Sequence, residues 1–141
     1  SLVAVPLFNT AAGQNFSTMF NNCQRLATIP LLNTAAGTNF ATMFASCPNL
    51  QSLPALQLGG ATSSSSYTNM FFGCTSLSSI GCLGIKFTFS VTSCRLSAAA
   101  LDALYTNLAT VTGQTITVSN NWGTASDTTS IATGKGWTVT G

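Results

Sequence analysis

The chain has 141 residues, of which only six are charged: Arg25, Lys86, Arg95, Lys135, Asp102 and Asp127. It contains no His and no Glu, and 39 of its residues are Ser or Thr. Four scattered cations form no phosphate-binding patch, two carboxylates without an imidazole leave little for acid/base chemistry or hard-metal ligation, and no apolar run approaches the roughly 18 residues of a membrane span; nucleic-acid binding, catalysis, a metal or cofactor site and membrane insertion are therefore not expected.

From its first residues the chain repeats itself. Residues 2–25 read LVAVPLFNTAAGQNFSTMFNNCQR and residues 26–49 read LATIPLLNTAAGTNFATMFASCPN, identical at 14 of 24 positions. A third copy opens at Leu50 as LQSLPALQLGG, takes in three extra residues around the serine run 63–66, and rejoins the pattern at Tyr67, Met70, Phe71 and Cys74. Leu77, Ile80 and Cys82 open a fourth. Self-similarity at this period, with one strand and one helix per unit, predicts an α/β fold: a leucine-rich repeat solenoid with parallel strands on one face and short helices on the other.

Each unit carries two periodicities. Leu26, Ile29 and Leu31, then Leu50, Leu53 and Ala55, then Leu77, Ile80 and Cys82 place their last pair at strand spacing. Phe40, Met43, Phe44 and Cys47, like Phe16, Met19, Phe20 and Cys23, fall at i, i+3, i+4 and i+7, which predicts an amphipathic helix with Thr38 or Asn39 as its N-cap. Gly13 and Gly37 mark the loop before it. A single unit of this size cannot bury its own apolar face and needs stacked neighbours. Leu2 already stands at the first strand position, so further repeats or another domain are expected before Ser1. The chain reads as one domain over 1–141, a piece of a longer chain, with 24–27-residue repeats over 1–83 and variant repeats plus a C-terminal cap over 84–141.

The segment 82–89 has no clean place in the pattern; a tight turn at Gly84 would make it a local hairpin or a direct sheet neighbour. Phe89, Val91 and Cys94, followed by Leu96, recur 27 residues later as Ile116, Val118 and Asn121. Ser97 is placed to cap a helix whose stripe is Leu101, Leu104, Tyr105 and Leu108. Residues 130–133 fit a short last turn and 137–140 a last strand.

The run MFASCPNLQSLP at 43–54 resembles the BspA-like leucine-rich repeats of bacterial surface proteins, and is similar to the lipoprotein-type repeat with N-M-x-x-M-F-x-x-C units. The tail, with LSAAALDALYTNL, TITVSNNWG and IATGKGWTVTG, resembles the closing segment of such repeats in tailed-phage structural proteins. In such repeats the Asn or Cys position points inward to backbone groups after the strand. The resemblance implies a non-enzymatic virion protein, a tail fibre or surface module for receptor binding and adhesion at the host cell. Its partners would be other virion subunits, copies of itself, or a host cell-surface glycan or protein, and its place the virion surface or the extracellular space. A structural capsid or tail decoration, or a self-assembling surface protein, is one alternative; a secreted bacterial adhesin is another.

Candidate contact residues follow from the strand side, the usual binding face of a solenoid. The outward positions there are Thr28, Ser52 and Ser79, followed by Pro30, Pro54 and Gly81. Trp122, in an Asn-Asn-Trp-Gly loop, is the aromatic most suited to stacking on a ligand, while Tyr105 and Trp137 read as core. The serine run 63–66 reads as a flexible loop, and Asp102 and Asp127 as solvated. Cys23, Cys47 and Cys74 share one repeat position and read as buried fillers; Cys82 and Cys94, beside neighbouring strands, are the candidates for a disulfide.

Overall fold

In the computed structural model, which describes residues 2–141, the NTAAG motif shows why it recurs. The Asn9 Oδ1 accepts the Ala11 N–H at 3.0 Å and the Asn33 Oδ1 accepts the Ala35 N–H at 3.2 Å, so each Asn closes its own turn. The next residue reaches across: the Thr10 hydroxyl donates to the Asn33 carbonyl and the Thr34 hydroxyl to the Gln57 carbonyl, both at 2.8 Å. Both threonines are buried, and one hydroxyl per repeat ties it to its successor. Gly37 ends the motif because the Phe40 ring of its own repeat and the Phe16 ring of the preceding one leave no space for a side chain: a Cβ there would lie 2.9 Å from the Phe16 ring and closer still to the Phe40 ring.

The stripes at 16–23 and 40–47 are not helices. They form consecutive turns, with positive φ at Thr18, Asn22, Thr42 and Ser46, and the third copy repeats this at Asn69 and Gly73. Backbone hydrogen bonding alternates along them. Met19 and Asn21 donate back three residues within the turn, whereas Phe16, Thr18, Phe20 and Asn22 donate sideways to the carbonyls of Asn39, Ala41, Met43 and Ala45. The next pair of repeats does the same: Phe40, Thr42, Phe44 and Ser46 donate to Ser66, Thr68, Met70 and Phe72. An i, i+4 inward pattern fits a helix and a string of four-residue turns equally well. The turns prevail because a two-turn helix is marginal and Ser, Thr and Asn are poor formers in its middle, while the sideways bonds satisfy the backbone against a neighbour. Accordingly Asn39 caps no helix; its Oδ1 accepts the Ala41 N–H at 3.1 Å as an Asx turn.

Regular elements are short and mixed. They are β1 (Ser52–Leu53), a 3-10 helix (Ser64–Tyr67), β2 (Ser79–Ile80), β3 (Phe89–Ser90), α1 (Ala98–Asn107), β4 (Gln114–Thr117), α2 (Ser130–Thr133) and β5 (Trp137–Thr140). β1 pairs in parallel with β2, and β3, β4 and β5 form a second parallel sheet in that order. Among the described residues there is thus an α/β mixture with two small open sheets and no closed barrel. Ile29 is buried in the core beside these strands but lies outside any strand; its segment is joined to the third copy where Gln51 donates to the Ala27 carbonyl at 2.9 Å.

Several local expectations change. The serine run enters the 3-10 helix, with Ser66 buried and the following Tyr67 hydroxyl donating to the Leu58 carbonyl at 2.6 Å. Gly84 does turn the chain, with φ of 76°, and Leu83 lies parallel to Gln57 as a direct neighbour. Ser97 caps α1 as its sequence position predicts, accepting the Ala100 N–H at 3.2 Å. The two aspartates are not simply solvated. Asp127 accepts the Tyr105 hydroxyl, and Asp102 accepts the Thr128 N–H at 2.6 Å and its hydroxyl at 2.9 Å, which fastens α1 to the loop before α2. Lys135 donates to the Thr106 and Leu108 carbonyls at the C-terminal end of α1, where a cation favours the helix dipole.

The core is strung on aromatic rings. Phe20, Phe44 and Phe71 stack with centroids 5.7 and 6.4 Å apart; Phe16, Phe40 and Tyr67 form a second stack at 5.8 and 6.3 Å. Both stacks end edge-on against Phe89, which meets Trp137 at 88°. The aromatic line therefore runs from the turns of the early copies into the sheet β3–β4–β5.

Candidate binding surface

The outward strand residues come together only in part. Ser52 and Ser79 are paired in register across β1 and β2, while Leu53 and Ile80 turn inward. Thr28 is exposed on the preceding copy. Trp122 does not join them. It stands in a cavity of about 330 Å³ with Arg95, Gln51, Ser76 and Ser78, the last of these and Gln51 being chain neighbours of Ser79 and Ser52.

The position of Trp122 is set by the residues on either side. Buried Asn121 donates through Nδ2 to the Val91 and Val118 carbonyls at 2.9 and 2.8 Å, and its Oδ1 accepts the Leu96 N–H at 3.0 Å. Gly123 presses on the start of α1, where a Cβ would lie 2.0 Å from the Ala98 nitrogen. With both flanks held, the indole is left 69 % exposed. The Arg95 guanidinium lies over its ring, 4.3 Å from the centroid, and the Arg95 N–H donates to the Leu77 carbonyl at 2.8 Å. An aromatic face, one cation and the Gln51, Ser76 and Ser78 side chains thus share one exposed ledge. Such a surface can stack a planar or ring-shaped group and hydrogen-bond its polar rim.

Sequence reasoning named Trp122 and missed Arg95, Gln51, Ser76 and Ser78. A signal existed for one of them. Cys94 and Asn121 are equivalent positions, so Arg95 and Trp122, each one residue later, are adjacent by register.

Four cysteines serve the interior, whereas Cys23, expected to be buried like Cys47 and Cys74, is only half-buried. The Cys47 thiol donates to the Phe20 carbonyl at 3.0 Å and the Cys74 thiol to the Phe44 carbonyl at 3.1 Å. Cys82 and Cys94 do not form the disulfide expected of them; both are free and buried. Cys82 follows β2 and Cys94 follows β3, which belong to different sheets. Burial pushes the Cys74, Cys82 and Cys94 thiols up to about 12, and the Tyr67 hydroxyl likewise to about 12. Burial, followed by the Asp127 carboxylate, also raises Tyr105.

At the other end of the molecule Leu2, Val3, Leu7, Phe8 and Leu31 are exposed, beside an open depression of about 500 Å³ that reaches Phe16 and Met19. The chain matches no family model, no curated protein and no solved structure.

Proposed function

We propose that this chain is a leucine-rich repeat solenoid, related in type to the BspA-like repeats, and that it serves as a non-enzymatic recognition module on the surface of a phage virion. The Trp122–Arg95 ledge carries this reading. It is an exposed aromatic braced by a cation and ringed by neutral hydrogen-bonding side chains, on a chain with almost no charge. A surface of that kind engages a neutral ligand by stacking and hydrogen bonds, with little long-range steering. A host cell-surface glycan has this chemistry. Ser52, Ser79 and Thr28 extend the hydroxyl-bearing surface beyond the ledge.

The second reading is a structural or decorating role through copies of the chain. It is favoured by the exposed apolar residues around Leu7 and Phe8 and by the depression beside them.

The test is to locate the chain in intact particles by labelled antibody and to compare adsorption of particles carrying wild type and Trp122→Ala. The recognition reading expects a distal position and a loss of adsorption of about tenfold or more. A chain laid over the shell, with adsorption unchanged by the substitution, selects the decorating role.

A further inference from the structure

The sideways ladder breaks between the third copy and β3. In the preceding interface the N–H groups of Thr42, Phe44 and Ser46 donate to three carbonyls of the next copy. The equivalent donors one copy later are Asn69, Phe71 and Gly73. Their turns repeat the same internal bonds and the same positive φ at Asn69 and Gly73, so their N–H groups face the same way. None of the three has an acceptor among the described residues. The reason is a change of backbone geometry: the facing segment opens as the strand β3, whose hydrogen bonds go to β4 on its far side, and an extended chain does not present its carbonyls at the spacing of stacked turns.

What the mismatch leaves is a cleft of about 220 Å³. Asn69, Phe71, Phe72 and Gly73 line one wall, and Ser90, Thr92 and Ser93 the other. The Phe72 ring stands at 67 % exposure, and the Ser90 and Thr92 hydroxyls are hydrogen-bonded to each other at 2.8 Å.

We infer that this cleft is a second carbohydrate site, selective for an N-acetylated sugar. The inference rests on the glycan reading above and adds the class of sugar and the place. Three N–H donors in one row call for acceptors, and no charged side chain lines the walls. A bare anion would lose its hydration there without a counter-charge, whereas a neutral carbonyl would not incur that cost. An acetamido group is small enough for a cleft of about 220 Å³. Its carbonyl accepts from one amide of the row, its methyl group packs on the Phe71 side, the sugar ring lies on Phe72, and sugar hydroxyls meet the remaining amides and Ser90, Thr92 and Ser93.

The experiment is an amide-resolved NMR titration of the chain with tri-N-acetylchitotriose, and in parallel with cellotriose, which has the same linkage and no acetamido groups. The expected result is a shift of the Asn69, Phe71 and Gly73 amides with the first sugar only, and an affinity about tenfold weaker in Phe72→Ala. Phe72 is exposed, so an unchanged spectrum of the free variant will show that its fold is intact. Absent shifts at these amides, or equal shifts with both sugars, overturn the inference. Shifts confined to Trp122 and Arg95 also overturn it, and leave the ledge and its adsorption test standing.

Discussion

The thiol of Cys74 donates to the backbone carbonyl of Phe44, one copy earlier, and Cys47 does the same to Phe20. The residue type that invites thoughts of disulfides or metals is used here as a small donor that reaches the carbonyl beside a stacked ring. The Cys position and the Phe position of the repeat are therefore coupled across the interface between copies, and substitutions at either should weaken that interface.

For the thiol, Cys74→Val keeps the volume and removes the donor, leaving the Phe44 carbonyl unpaired inside the core. A loss of about 1–2 kcal/mol is expected. Cys74→Ser, which retains a donor, should lose less of the hydrogen-bond contribution. Urea denaturation of the two variants checks the order; a Val variant as stable as wild type would remove the thiol from the account.

For the ring, Phe44 is fully buried between Phe20 and Phe71. Phe44→Ala should cost about 3–5 kcal/mol, because collapse of the gap would require both neighbouring copies to move. An unchanged melting temperature would contradict the ladder.

The thiols also set a pH limit. In the folded chain Cys74, Cys82 and Cys94 stay protonated to about pH 12, whereas in the unfolded chain they ionise near 9. Between these values the unfolded state binds fewer protons, so stability is complete below about pH 9 and falls as pH rises. The native chain should resist alkylation at neutral pH and the unfolded chain should react fully. The urea midpoint measured at about pH 8 and about pH 11 checks the sign: it should drop at the higher pH.

Hydrogen exchange reads the break in the ladder independently of any ligand. The Thr42, Phe44 and Ser46 amides are bonded to the next copy and should exchange slowly; those of Asn69, Phe71 and Gly73 have no acceptor among the described residues and should exchange far faster. Equal protection of the two sets would mean that the third copy is bonded to β3 after all.

Much of this was legible in the chain itself. The 24-residue repeat, the inward positions of Phe16, Phe20, Phe40 and Phe44, the Ser97 cap and the strand pairing of Phe89 with Ile116 all follow from spacing, because self-similar units must place like residues at like depth. Trp122 could be picked out as an exposed aromatic in a turn. What spacing could not decide was where backbone groups find their partners. The stripes at 16–23 and 40–47 suit a helix and a run of turns alike, and only a neighbouring copy offering carbonyls beside Thr18 and Thr42 resolves the choice. The same holds for the Arg95 partnership with Trp122 and for the amides of Asn69, Phe71 and Gly73. Each depends on what stands across an interface between copies, and sideways hydrogen bonds between segments distant in sequence leave no periodic trace within either one.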